Sequence, residues 1–267
     1  MPEAPNAADS DLAQSGHAQS DRAQSDHRRW REDRLAAVTS ATGNLSLVET
    51  RWFPPGTTAH EAAALTDSER AAARGGVTVT SLQRSDIDTG RPEYGLRVWD
   101  ADAPAIRAFD TIDAFPFDPA WVIDAEFRPV SAGRTVPFEH IRDAGGTREL
   151  VVPGDITFER DGASFTLAAF DDGGALLLVF GDPTNGAGGE TGTYGSGRFL
   201  FVERDDDGGF GDPGRVRLDF NRAFVPPCGF SVQYNCPMPP PQNRLPSPVL
   251  AGERDVRFRD GFDIYSA

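Results

Sequence analysis

The sequence predicts a mainly β fold: an antiparallel meander closing into a sandwich or a barrel, behind one or two short N-terminal helices. Three observations carry this expectation. Gly 28 and Pro 21 among 267 residues point to many turns and short strands. From Gly76 onward the apolar residues recur with period two instead of 3.6. Asp-Gly pairs at 161–162, 172–173 and 207–208 each separate two alternating runs, which is a strong local hairpin signal.

Taken in order, residues 1–27 hold an imperfect Ala-Gln-Ser repeat and almost no large apolar groups, so they read as a disordered polar tail. The rest, 28–267, reads as one β-rich domain with a helical preface over 28–75. From His27 to about Ala41, Trp30, Leu35 and Val38 share one broad helical face. A second helix covers 59–74. Thr58 with Glu61 makes a capping box before it, Thr66 with Glu69 resembles another, and Gly75-Gly76 stops it.

The strand meander spans 76–225. Val77 and Val79 alternate with polar neighbours, and Tyr94, Leu96 and Val98 oppose Gly95, Arg97 and Trp99. In 121–128, Trp121, Ile123, Ala125 and Phe127 face one way, with Val122, Asp124, Glu126 and Arg128 opposite, as in a half-buried antiparallel strand. About nine or ten strands follow from this pattern. A Gly-rich stretch, Gly181 to Gly197, reads as a flexible connection. The segment 226–253 is proline-laden. Prolines at 237 and 239–241 exclude a central strand because they lack the ladder donor, so it is an ordered extended arm over the sheet or a loose loop.

Composition narrows the function. The hydrophobic fraction of 39% with 18 Phe is enough for a real core. The formal charge of −15 repels phosphate backbones and anionic lipid, so neither nucleic acid nor membrane is an expected partner. All 26 basic residues are arginine, as a coding sequence rich in G and C, or adaptation to salt, would produce. No apolar run approaches the ~18–20 residues that cross a bilayer, and the N-terminal residues lack the apolar stretch of a signal peptide. With two cysteines, a disulfide-built secreted scaffold is not indicated, and the expected location is the cytoplasm.

Several long motifs point to one family. They are Thr193-Tyr194-Gly195-Ser196-Gly197-Arg198-Phe199-Leu200, Leu218-Asp219-Phe220-Asn221-Arg222-Ala223-Phe224, Pro226-Pro227-Cys228, Cys236-Pro237, Asn243-Arg244-Leu245 and Ala251-Gly252-Glu253. Over about 90–253 the chain resembles a bacterial and archaeal family catalogued as domain of unknown function 1684. The resemblance implies no activity. Members of that family commonly begin with a longer β segment rich in Gly, Leu and Trp. Here residues 42–75 are shorter and read as helical.

No familiar catalytic signature is complete. Gly195-Ser196-Gly197 lacks the spacing of a nucleophile elbow, and only His60 and His140 could serve a serine triad. Glu203, Asp205, Asp207 and Gly208 imitate half a calcium loop, but position twelve is Gly214 where a bidentate Glu is required, so a solvated hairpin tip is expected. The Gly-rich stretch lacks the P-loop pattern, although its backbone N–H groups beside Arg198 could cradle an anion. Cys228 and Cys236 are expected as packed thiols, with a reversible disulfide or a metal or nucleophile role as alternatives. No metal or cofactor is implied.

The informative set is polar: Tyr194, Arg198, Asp219, Asn221, Asn243, Arg244 and Glu253. By the period-two rule Asp219 and Asn221 share one strand face. Read as a site, the set binds a small anionic metabolite, with hydrolase-type chemistry in view. Arg198 and Arg244 hold the anion, Tyr194, Asn221 and Asn243 complete the binding set, and Asp219 or Glu253 is the base. Read as structure, it is a buried network that pins the Pro-rich arm of a non-catalytic interaction domain. Convergence on a concave pocket separates the two. Oligomeric state is not legible.

Overall fold

The computed structural model describes residues 7–86, 89–131, 134–139 and 147–266. Its centre is a closed antiparallel barrel of six strands: β5 (Val122–Pro129), β8 (Gly154–Arg160), β9 (Ala163–Asp172), β10 (Ala175–Phe180), β11 (Arg198–Arg204) and β12 (Gly214–Asp219). The last five are consecutive neighbours, and β5 closes the ring by pairing with both β8 and β12. Closure leaves the barrel no free edge, which settles barrel over sandwich.

The hairpins fall where the Asp-Gly pairs place them. Asp161 and Gly162 have φ of 53° and 77°, the left-handed pair that a two-residue turn between right-twisted strands requires. Along β5, Ala125 and Phe127 point inward while Val122, Asp124, Glu126 and Arg128 are exposed, as the alternation predicts. Phe127, Ile156, Leu167, Leu178, Phe180, Leu218 and Phe220 are buried together in the interior, so the barrel holds a packed core.

A second layer lies outside the barrel wall. Strands β1 (Leu47–Trp52), β2 (Val77–Ser85) and β3 (Pro92–Asp100) form a sheet in the order β1-β3-β2. Leu47 and Trp99 from this sheet pack with Phe170, Leu177, Val179 and Phe199 in a second hydrophobic cluster. The clean alternation expected for 94–99 is not observed, because β3 is the central strand and Gly95 and Leu96 are both buried. Residues 42–75 are not wholly helical either: β1 precedes α2 (Ala59–Ala72). Thr58 and Glu61 make the expected capping box, but Thr66 lies inside α2 and bonds back to Ala62 O at 2.8 Å, so it caps nothing.

The remaining strands among the described residues are two pairs. β6 (Thr135–Glu139) pairs with β7 (Thr147–Val151). After the short helix α3 (Pro104–Ala108), β4 (Phe109–Ala114) pairs with β13 (Glu253–Phe258). Among the described residues the thirteen strands exceed the expected nine or ten, since β1, β13 and the separate pairs lack clean period-two runs.

Helix α1 (Ala7–Thr39) runs through the stretch read as helical and extends upstream into the repeat. Its docking face is His27, Arg31, Arg34 and Val38, spaced four, three and four apart, and is polar except for Val38. Leu35 and Trp30, the other expected face residues, are only half-buried. His27 is buried between the rings of Trp30 and Phe117, and its Nε2–H donates to Asn221 O at 3.0 Å.

Burial is the main cause that lowers the His27 pKa below 6.5, outweighing that backbone bond. The sign follows. The unfolded chain takes up the proton first as pH falls, so the stabilisation that neutral His27 provides is full above about 6.5 and is lost as pH falls through the folded value. Urea midpoints at pH 7.5 and 5.0 should drop more for the wild type than for His27→Gln. Parallel drops would show that His27 does not titrate in the folded protein.

The Pro-rich arm is ordered. Short 3₁₀ turns at Pro227–Gly229 and Pro241–Asn243 punctuate it. It does not simply lie over the sheet, because Leu245, Val249 and Ala251 complete the barrel's own core at one end. The Gly181–Gly197 stretch is held as well: Gly186 N–H donates to Thr193 O at 3.0 Å, and the Thr184 and Thr193 hydroxyls bond at 2.8 Å.

Candidate functional site

The polar residues divide by burial. Arg198, Asn221, Asn243 and Glu253 have at most 1% of their surface exposed, whereas Arg244 is exposed. Each buried member is held by several partners, although Arg198 Nε is buried without one.

Asn243 substitutes for a missing piece of strand. β9 and β10 pair from Asp172/Ala175 as far as Phe170/Leu177 and then part. Beyond that point the Asn243 carboxamide sits between them. Its Oδ1 accepts from Ala168 N at 2.8 Å, and its Nδ2 donates to Ala168 O and Val179 O, both at 2.9 Å. The amide side chain carries the donor and acceptor set of a peptide group, so it satisfies the ladder groups that divergence would orphan. Around it, Gly181 N–H donates to Asn243 O at 3.0 Å and Leu245 N–H to Gly181 O at 2.8 Å, joining arm to barrel.

Asn221 works the same way at the end of β12. Its Oδ1 accepts from Asp118 N and its Nδ2 donates to Asp118 O, both at 2.9 Å. The strand ends at Asp219, and Asn221 lies in the following 3₁₀ turn, so the two do not share a strand face. Asp219 Oδ1 instead accepts from Asn221 N at 3.1 Å, capping that turn, while its Oδ2 lies 3.3 Å from Arg222 Nε.

Arg198 ties down the arm. Its Nη1 donates to Ala251 O at 2.6 Å and Glu253 O at 3.3 Å, and its Nη2 to Val249 O and Asp182 Oδ2, both at 2.8 Å. The Arg198 and Asp182 side chains are both fully buried. Burial pushes the Arg198 guanidinium below its usual range despite the attraction of Asp182.

Glu253 is the node for α1. Its Oε1 receives Arg34 Nε at 3.2 Å and Arg31 Nη1 at 3.4 Å, and its Oε2 receives Val225 N at 2.9 Å. Arg31 and Arg34 also donate to Ile112 O and Val225 O, at 2.5 and 2.9 Å. The side chains of Arg198 and Glu253, expected as anion holder and base, therefore face protein and not solvent. Asp182, Arg31 and Arg34 were not legible as partners, since no local spacing connects residues so distant along the chain.

Arg244 differs. Among the described residues its guanidinium has no ion-pair partner. It lines a pocket of about 260 Å³ together with Gly181, Asp182, Asn185, Ser196 and Pro239. The pocket wall is the backbone turn Gly195-Ser196-Gly197. Gly197 has φ +89°, and a Cβ there would come within 2.4 Å of Pro239 Cγ, so only glycine permits this close approach of loop and arm. Asp182 is the other charged group on the wall, and its carboxylate is already neutralised by Arg198. Asn185 is spent on Asp182 N, Thr193 Oγ1 and Tyr194 O.

Tyr194, Asp219 and Glu253 do not line this pocket. Tyr194 turns toward Cys228 and Tyr265, with its hydroxyl 3.3 Å from that of Tyr265. His60 is exposed on α2, and His140 lies outside the described residues. The acidic tip residues Glu203, Asp205 and Asp206 pair with Arg222, Arg217 and Arg204, as a solvated hairpin end does.

Fold and polar set together define an antiparallel closed β-barrel, plugged at one end by a proline-rich arm that buried amides and an ion pair hold in place. Residues 107–254, just over half of the chain, match the family described as Protein of unknown function (DUF1684), and the chain belongs to that family. No curated protein matches. The chain is also similar to an uncharacterized protein from Haloarcula marismortui, solved by solution NMR. The two are 32% identical, the match covers 55% of this chain and 77% of that one, and the TM-score is 0.43. Among the described residues no helix is long and apolar enough to cross a membrane.

Proposed function

We propose that this barrel is a non-catalytic binding domain whose polar residues perform two separate tasks. Arg198, Asn221, Asn243 and Glu253 fix the arm and α1, and Arg244 binds a small anion. The observation that carries the reading is exposed Arg244, without an ion-pair partner among the described residues, on the wall of a pocket whose carboxylate is already paired. A guanidinium offers a planar fork that matches a carboxylate or phosphate bidentately, and the Ser196 hydroxyl on the same wall can donate a further bond. The volume suits a group of phosphate or short dicarboxylate size rather than a drug-sized ligand. With a net charge of −15 the protein does not steer anions from a distance, so recognition rests on these short-range bonds.

The hydrolase reading finds little support. A general base must reach a substrate proton, yet Glu253 is buried with both oxygens engaged, and Asp219 caps a turn away from the pocket. A second reading, a purely structural or interaction domain, is favoured by how many bonds the buried set makes to backbone groups.

Titration separates the two readings. Inorganic phosphate, sulfate and succinate, followed by calorimetry and by the amide shifts of Ser196 and Gly197, should bind with dissociation constants on the order of 1 mM. Arg244→Gln should weaken the tightest of them at least tenfold. Equal binding by the variant would remove Arg244 from the site, and no binding to the wild type would leave the structural reading.

A further inference from the structure

Cys228 and Cys236 are eight residues apart in sequence and adjacent in space. Cys228 sits in the 3₁₀ turn Pro227–Gly229, and the chain then folds back so that Cys228 N–H donates to Cys236 Sγ at 3.3 Å. Both are free thiols. Both are buried against Phe170, Leu177, Val179 and Phe199 on the barrel's outer face, in the cluster that also holds Tyr234. Neither takes part in fixing the arm or in the Arg244 pocket.

Their surroundings are unequal. The Cys228 thiol is held below the usual thiol range, first by its bond with Cys236 and then by the Tyr194 hydroxyl, against the opposing effect of burial. The Cys236 thiol is pushed up by that same bond and by burial. The Tyr194 hydroxyl meets Cys228, on the side that leads to exposed Tyr265, so Cys228 is assigned the attack and Cys236 the resolving role. The Tyr194 hydroxyl also meets that of Tyr265, a residue 66% exposed, so a short hydroxyl path connects solvent with the thiol pair.

We propose that Cys228 and Cys236 are a reversible two-electron redox pair that closes to a disulfide within the arm, with a hydroperoxide as oxidant. The Cys228 thiolate attacks the outer peroxide oxygen, the O–O bond breaks, and the leaving alkoxide or hydroxide takes up the proton that Cys228 released. The sulfenic acid formed on Cys228 is then attacked by Cys236 sulfur. The S–S bond forms, the S–O bond breaks, and hydroxide leaves as water with the Cys236 proton. The two thiols are oxidised by two electrons, and the peroxide is reduced to an alcohol and water, or to two waters. An external dithiol reverses the closure by exchange. The bridge closes the short loop Cys228–Cys236, which carries Phe230, Ser231 and Gln233, lining residues of an apolar pocket of about 230 Å³.

Full-length protein treated with a small excess of hydrogen peroxide provides the test. Trypsin cuts this lysine-free chain only after arginine, so both cysteines leave in one peptide, Ala223–Arg244. The expected result is that peptide lighter by two hydrogens, with both thiols lost to a thiol reagent and both regained with dithiothreitol. Cys236→Ser should instead trap one oxygen or more on Cys228 and never show the lighter peptide. Should the variant fail to fold, the wild-type peptide alone decides. A wild-type peptide that retains two thiols, or that accumulates sulfinic acid on Cys228 with no internal bridge, overturns the proposal. A bridge between two copies of the chain overturns it as well.

Discussion

Asn243→Ala is expected to lower the unfolding free energy by roughly 3–6 kcal/mol, out of all proportion to the size of the group removed. The deletion leaves Ala168 N–H, Ala168 C=O and Val179 C=O inside the protein without the partners the carboxamide supplies. Each buried backbone group left unpaired costs about 1–3 kcal/mol, and the gap between β9 and β10 cannot close, because the arm residues beside it are held by Gly181. The neighbour Gln242 is exposed and bonds at the surface, so Gln242→Ala should stay within about 0.5 kcal/mol. Equilibrium urea unfolding compares the two. A cost below about 1 kcal/mol for Asn243→Ala would mean that water or a shifted strand replaces the carboxamide.

Arg198→Met should cost about 3–5 kcal/mol, because it strands the Asp182 carboxylate in a fully buried position and removes the donors to Val249 O and Ala251 O. For a chain of this length that corresponds to a melting temperature lower by roughly 10 °C. The charge component can be isolated. Asp182→Asn keeps an oxygen for Thr184 N and Val249 N, which bond to Oδ1, while removing the charge. The double variant should then recover at least about 1 kcal/mol relative to Arg198→Met alone. Additive losses would show that Arg198 acts through its arm carbonyls and not through the ion pair.

The barrel was largely legible because its signals are local. The period-two run at 121–128 and the Asp-Gly pairs each fix a strand or a turn within ten residues, and the barrel assembles from hairpins. Closure was not legible, since β5 pairs with β12 some ninety residues later and nothing in either strand names the other. The docking face of α1 was misread for a related reason. His27, Arg31 and Arg34 bury polar groups whose partners, Asn221, Ile112, Val225 and Glu253, are remote in sequence, and a polar stripe gives no hydrophobic periodicity.

The candidate site shows the same division. Residue type correctly marked Arg198, Asn243 and Glu253 as unusual, but a side chain that satisfies stray backbone groups has the same chemistry as one that binds a ligand. Burial alone tells them apart, and burial depends on how the arm inserts Leu245, Val249 and Ala251 into the barrel end. Arg244 lies one residue from Asn243 and on the other side of that divide.

Urea unfolding of Arg244→Lys beside Arg198→Lys distinguishes the locking set from Arg244, whose guanidinium has no ion-pair partner among the described residues. Both substitutions keep the charge and lose the planar fork. Arg244→Lys should remain within about 0.5 kcal/mol of the wild type, as an exposed residue should, while Arg198→Lys loses several kcal/mol. A loss of several kcal/mol for Arg244→Lys would instead place Arg244 in the locking network.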